Sequence, residues 1–163
     1  MNILYLHGLE SKLSDEKRAI LEKYGNVMAP DMDYKSNPNM IDHLYNTYRN
    51  QEIDVIIGSS MGGFSGYYLA NILNVRCLLY NPALPYRNTT VQNIPSQIPM
   101  TNTSFMRIVL GAQDTIIKAK DNLAFLSQHM TDKIDYTVKI RRDLAHQIPV
   151  NVFEEETKAF FEM

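Results

Sequence analysis

Residues 53–62 read Ile53-Asp54-Val55-Ile56-Ile57-Gly58-Ser59-Ser60-Met61-Gly62. The apolar stretch Ile53 to Ile57 predicts a strand. The serine that follows, Ser60, has a glycine two positions before it and another two after it, the layout of a nucleophile elbow between strand and helix. The layout has a steric reason. A turn that holds its central residue in a strained conformation brings neighbouring backbone close, and Gly58 and Gly62 remove the side chains that would collide. The same residues also fit a glycine-rich turn of no chemical consequence, so the reading depends on its surroundings. Downstream, Gly63, Phe64, Gly66, Tyr67, Tyr68, Leu69, Ile72 and Leu73 form a helix-length segment whose small residues let it lie close to a sheet. No Gly-Lys-Ser/Thr follows, which excludes a P-loop, and the glycines miss the Gly-x-Gly-x-x-Gly register of a dinucleotide turn.

Outward from this segment, strand-like and helix-like stretches alternate without repeats or low-complexity linkers. Asn2 to Leu6 is a compact apolar run, and Ser14, Asp15 and Glu16 suit a helix start with Leu13, Ile20 and Tyr24 on one face and Gly25 as the stop. Asn26 to Ala29 predicts a short strand ended by Pro30, and Ile41, Leu44, Tyr45 and Tyr48 mark a second amphipathic helix. Beyond the elbow, Val75 to Tyr80 and Phe105 to Leu110 are further apolar strands, and Ala119, Leu123, Leu126 and Met130 share a helical face. Ile134, Tyr136, Val138 and Ile140 alternate with Asp135, Thr137, Lys139 and Arg141, which predicts a strand exposed on one face near a sheet edge. Val150, Phe153, Thr157 and Phe160 lie on one side of a last helix after Pro149. Six strands alternating with helices predict an α/β fold, a mainly parallel sheet covered on both faces.

The 163 residues are expected to form one domain, 1–163, and 45% apolar content is ordinary for a globular chain. A net charge of -2 without a basic tract gives no footprint for nucleic acid or an anionic membrane surface. The one cysteine, Cys77, rules out an internal disulfide and lies in an apolar run, the setting of a buried core thiol. The chain opens at Met1 on a strand-like run with no signal-peptide pattern, and no stretch is long enough to span a bilayer; a cytoplasmic protein is the expectation.

In such sheets function gathers at the carboxyl ends of the strands. There stand His7-Gly8-Leu9, Asp31 and Asp33, Ser60, Asn81-Pro82, Gly111-Ala112-Gln113-Asp114, and Asp143 with His146. Serine, acid and histidine therefore occur in the chain order Ser, Asp, His. Leu4-Tyr5-Leu6-His7-Gly8, Gly58-Ser59-Ser60-Met61-Gly62-Gly63, Asn81-Pro82-Ala83, Gly111-Ala112-Gln113-Asp114 and Ala145-His146 together resemble an α/β-hydrolase. The short length, the Gly-Ser-Ser-Met-Gly-Gly elbow and the Asn-Pro-Ala after the next strand resemble, more narrowly, the small bacterial YqiA-type esterase family. The resemblance runs over nearly the whole chain. It implies a compact six-stranded sheet in the order 2-1-3-4-5-6, without the extra antiparallel strands of larger members and without a large cap, and an esterase nucleophile at Ser60.

Physical roles stand beside the resemblance. A serine hydroxyl attacks at neutral pH only if a base takes its proton, and His146 is the suitable base. A carboxylate must fix the imidazole tautomer. Asp114 is assigned this role because its glycine-containing turn after a strand matches the place where the family carries its acid. Asp143, three residues before His146, suits a local turn, and Asp31 follows a different strand. The developing oxyanion needs two backbone donors, Met61 after the nucleophile and Leu9 in the loop after the first strand. The His7 side chain is read as a group bonding within that loop rather than as a base, with Gly8 beside it.

His43 and His129 suit surface or capping roles. No histidine or acid pair has metal-ligand spacing, and a serine mechanism needs no metal or organic cofactor, so none is expected. Residues 81–104 are too long for a tight turn and too polar for a bulky lid, and they are expected to form a substrate-side loop or minimal lid. Leu84, Pro85, Tyr86, Val91, Ile94, Ile98 and Met100 either wall an acyl pocket or pin the segment to the core. The expected substrate is a small acyl ester or thioester. The alternative is a hydrolase-like fold used as a non-catalytic binding module, a choice that fold alone never settles.

Overall fold

The computed structural model describes residues 1–86, 88–96 and 103–163. Its strands are β1 (Asn2–Leu6), β2 (Asn26–Met28), β3 (Val55–Ser59), β4 (Arg76–Tyr80), β5 (Met106–Gly111) and β6 (Tyr136–Arg141). They alternate with the helices α1 (Asp15–Glu22), α2 (Met40–Tyr48), α3 (Met61–Leu73), α4 (Ala119–His129) and α5 (Val150–Phe161). The order across the sheet is β2-β1-β3-β4-β5-β6, as the family resemblance implies, and every neighbouring pair is parallel.

Period-two alternation divides the strand side chains between two cores. Leu4, Leu6, Ile56, Leu79, Ile108 and Leu110 pack under α2, α3 and α4, with Ile41, Leu44, Phe64, Tyr67 and Leu126. Ile3, Tyr5, Val55, Ile57, Tyr80 and Val109 face α1 and α5, meeting Ile20, Leu21, Phe153 and Phe160. Ser14 caps α1 by accepting the Lys17 N–H at 3.3 Å. Cys77 lies in the middle of the sheet, between Ile56 of β3 and Met106 of β5, and burial pushes its thiol pKa up. Among the described residues no helix is long and apolar enough to cross a membrane.

The structure corrects three expectations. Strand β3 begins at Val55 rather than Ile53 and runs on to Ser59, so the ladder continues into the elbow itself. On α4, Leu126 is buried but Leu123 is exposed, and Met130 has left the helix as its C-cap. Strand β6 is an edge, but residues of both its faces are exposed rather than of one; Val138 packs partly against the core. Tyr136 and Ile140 are exposed, whereas Lys139 and Arg141 reach the fully enclosed Glu156 of α5. Arg107 of β5 joins them at 2.7 Å, with Lys139 at 2.6 Å and Arg141 at 2.8 Å. Burial alone would raise the Glu156 pKa; the hydrogen bonds from Lys139, Arg107 and Arg141 outweigh it and hold the carboxyl below its ordinary value. A charge in an amphipathic helix normally marks the wet face, and here three cations across the interface make it part of the packed one.

Candidate active site

The carboxyl end of β3 turns into α3 at Ser60, whose φ of 54° and ψ of -118° lie in a region that residues with a side chain seldom adopt. Backbone bonds on three sides hold it there. The Ser60 N–H donates to Tyr80 O at 3.0 Å, and Ser60 O accepts from Phe64 at 3.0 Å and Ala83 at 2.9 Å. A Cβ on Gly62 would sit 2.0 Å from Leu6 O, and one on Gly58 would sit 2.3 Å from Gly62 O. Both glycines are thus required by close backbone approach, as the spacing predicts.

Two and three strands away, the turn after β5 and the loop after β6 bring Asp114 and His146 together. His146 Nδ1 donates to Asp114 Oδ2 at 2.8 Å, which leaves Nε2 as the acceptor of the ring. The other carboxylate oxygen accepts the N–H groups of Ile116 and Ile117, each at 2.8 Å, so the acid is fixed at both ends and its side chain is fully enclosed. The rival acids are engaged elsewhere. Asp143 forms a two-point ion pair with Arg141 at 2.6 and 2.9 Å, and Asp31 faces Lys12 at 3.5 Å.

Asn81, which carries no assigned role in the sequence reading, ties this arrangement together. Its Nδ2 donates to Ala145 O at 2.8 Å and His146 O at 3.2 Å, while its Oδ1 accepts the Gly111 N–H at 2.7 Å. One buried side chain at the end of β4 therefore binds both the acid-bearing turn and the histidine-bearing loop. A left-handed φ of 41°, which asparagine tolerates, aims it there. The Asn81-Pro82-Ala83 run was the available signal, and it names the place without the bonds.

The loop after β1 closes the other side. A Cβ on Gly8 would stand 3.2 Å from Ser60 Cβ, so backbone passes directly over the serine. Among the described residues no acceptor engages the N–H of Leu9 or of Met61. His7 uses both ring nitrogens, Nδ1 donating to Gly8 O at 2.6 Å and Nε2 accepting Met32 N–H at 2.8 Å, and so fastens the loop as expected. Tyr34 adds a bond from its hydroxyl to His7 O at 2.7 Å.

Ser60, Met61, Leu9, Gly8 and His146 open into one cleft of about 490 Å³. Its apolar wall is Ile116, Ile117 and Ile148, and residues 81–104 contribute Ala83, Thr89 and Thr90 to it. Of the apolar residues in that segment, Leu84 is buried in the core and Ile94 packs against it, whereas Val91 is exposed. Pro85 and Tyr86 border a separate hollow; Ile98 and Met100 lie outside the described residues. The described part of the segment is therefore pinned, with Gln92 Nε2 donating to Tyr34 O and Asn37 O. A larger cleft of about 840 Å³ adjoins across Leu9, Ser11 and Lys12, but neither Ser60 nor His146 lines it. Both side chains open into the smaller one. No hydrogen bond joins Ser60 Oγ to His146, and such contacts often tighten only with substrate bound.

His43 is exposed, and His129 caps its own helix through Phe125 O at 2.7 Å and stacks on that ring. Among the described residues no group of three His, Cys, Asp or Glu is placed to hold a metal ion.

Residues 2–160 match the model of Uncharacterised protein family (UPF0227), the YqiA-type family, and the chain belongs to it. No curated protein matches the sequence. Among solved structures, Est1E from Butyrivibrio proteoclasticus with ferulic acid bound is 15% identical, with a TM-score of 0.73 over 99% of this chain and 88% of that one. SOBER1 of Arabidopsis thaliana is 13% identical, with a TM-score of 0.65 over 99% of this chain and 97% of that one. Alpha/beta hydrolase domain-containing protein 10 from mouse is 12% identical, with a TM-score of 0.66 over 99% of this chain and 89% of that one. At these identities the likeness is one of fold, and the fold is that of the α/β-hydrolases.

Proposed function

We propose that this member of the YqiA-type family is a serine hydrolase that cleaves carboxylic esters or thioesters through an acyl-enzyme on Ser60. The observation that carries the reading is the 2.8 Å contact of the enclosed Asp114 with His146, which opens into the same cleft as a serine held at a strained elbow. In this reading Ser60 Oγ attacks the acyl carbonyl while His146 Nε2 takes its proton. Asp114 keeps the ring in the required tautomer and balances the imidazolium that forms. The N–H groups of Met61 and Leu9 receive the oxyanion. His146 then returns the proton to the leaving oxygen or sulfur, the acyl group stays on Ser60, and water activated by the same histidine releases it.

Labelling with a fluorophosphonate probe tests the proposal, read by mass spectrometry, together with a panel of p-nitrophenyl esters from acetyl to long acyl chains. The expected result is an adduct on Ser60, weakened in His146→Ala, and loss of turnover in Ser60→Ala. Equal turnover in Ser60→Ala and wild type overturns the assignment. Absence of both labelling and turnover favours the non-catalytic binding module.

A further inference from the structure

The wall of the catalytic cleft has an uneven charge. Of its 17 described lining residues, two are lysines, Lys12 and Lys17, and none is an aspartate or glutamate. The neighbouring cleft carries the carboxylates Glu10, Asp31 and Asp33, together with Lys12 and Lys35. Lys12 pairs with Asp31 and Lys35 with Glu10, both pairs well exposed. Lys17 is different. It lies in the first turn of α1, partly buried, with Nζ 5.5 Å from the centroid of the Phe153 ring, and among the described residues it forms no ion pair. Asp15 and Glu16, its sequence neighbours, are exposed and do not line the cleft. Burial lowers the Lys17 pKa, the mark of an ammonium whose lost hydration no counter-charge replaces.

We infer that Lys17 is a specificity-determining residue, holding an anionic group of the substrate, a carboxylate or a phosphate set away from the ester carbonyl. The inference rests on the hydrolase reading and supplies its substrate class. An arriving anion gains a partly desolvated cation and meets no carboxylate on the cleft wall, so both attraction and approach are favoured. Ser11, Thr89, Thr90 and Gln147 offer neutral hydrogen-bonding groups around the same space. A neutral acyl ester of the same size leaves Lys17 as it is in the empty cleft and gains nothing from it.

Three pairs of esters test this, each an anionic compound with its neutral isostere. One bears a carboxylate on the acyl chain (mono-4-nitrophenyl glutarate), one a phosphonate on the acyl chain, and one a phosphate on the leaving group. The readout is the ratio of kcat/KM, anionic over neutral, in wild type, Lys17→Met and Lys17→Arg. In wild type at least one pair is expected to give a ratio well above one. That ratio falls about tenfold in Lys17→Met, mainly through KM, the scale of one charge-assisted contact, and Lys17→Arg retains most of it. The responding pair identifies the anion. Ratios at or below one in all pairs, or a ratio unmoved by Lys17→Met, overturn the anion site while Ser60 labelling leaves the hydrolase reading standing. Absence of labelling and of all turnover overturns both.

Discussion

The two halves of the candidate site are built on opposite principles. The elbow around Ser60 is made by contiguous residues, and sterics fixes it: Gly58 and Gly62 let backbone approach backbone, and Ser60 has nowhere else to go. The acid–base half is assembled from distant segments, and polar ties fix it. Asn81 clamps the turn bearing Asp114 to the loop bearing His146, while Glu156 fastens β5 and β6 to α5 on either side of that loop. The proposed nucleophile is thus written into a pentapeptide. Its proposed base requires β4, β5 and β6 to be in place together.

The contrast breaks first at the elbow. In Gly62→Ala a methyl group must enter at 2.0 Å from Leu6 O, with backbone rather than a flexible side chain in the way. The expected result is loss of the folded protein, a destabilisation above about 4 kcal/mol, seen as the absence of a cooperative thermal transition.

At the other half, Asp114→Asn keeps an oxygen for the Ile116 and Ile117 amides but offers the wrong partner to His146. Turnover is expected to fall on the order of 10⁴-fold with the melting temperature nearly unchanged, and Asp143→Asn, at an exposed ion pair, serves as the control with less than about twofold change. The reverse order of effects would reassign the acid.

Glu156→Gln probes the far side of the same half. Removing one charge leaves Arg107, Lys139 and Arg141 without their shared partner, and a loss of about 2–4 kcal/mol is expected at neutral pH, by urea denaturation. The sign with pH follows from the lowered carboxyl. Its contribution is fully present above the unfolded-state pKa near ~4.3 and fades as pH falls through the lower folded value. Wild type therefore loses its advantage over Glu156→Gln in that acid window, and a difference that stayed constant down to pH 2 would remove Glu156 from the account.

The smallest effect is expected from Asn81→Ala. The fold survives, but the histidine loop loses its tether, and kcat is expected to drop about 10 to 100-fold. Because Ser60 itself is untouched, KM should move far less than kcat. An equal change in both would mean that Asn81 shapes the cleft rather than positioning the base.

This division also decides what the sequence could reveal. The alternation of strands with helices, the parallel pairing it implies and the elbow were legible because each is carried by local periodicity or by spacing within a few residues, whereas the sheet order came with the family resemblance. Asp114 and His146 were legible through strand order, a coarser rule that places residues at one end of the sheet. Asn81 escaped because its role lies in three hydrogen bonds to residues 30 to 65 positions away. Glu156 escaped because a charge on a helix reads as wet until the cations across the interface are known. The reach of Lys139 and Arg141 from β6 to α5 has the same cause: it is explained only once Glu156 is there to receive them. The cleft wall was hidden for another reason, since Ile116 and Ile148 come from loops with no periodicity to read.

Cys77 is the lone thiol of the chain, and it sits at the centre of the ladder with no exposed surface. Its side chain lies in the core that α2, α3 and α4 cover, so alkylating reagents meet it only when that layer, with the helix that follows the elbow, lifts from the sheet. The protein thus carries a built-in clock for its own opening: the rate at which a maleimide consumes Cys77 counts excursions out of the native state, one mass increment at a time, on a chain with no second sulfhydryl to confuse the record.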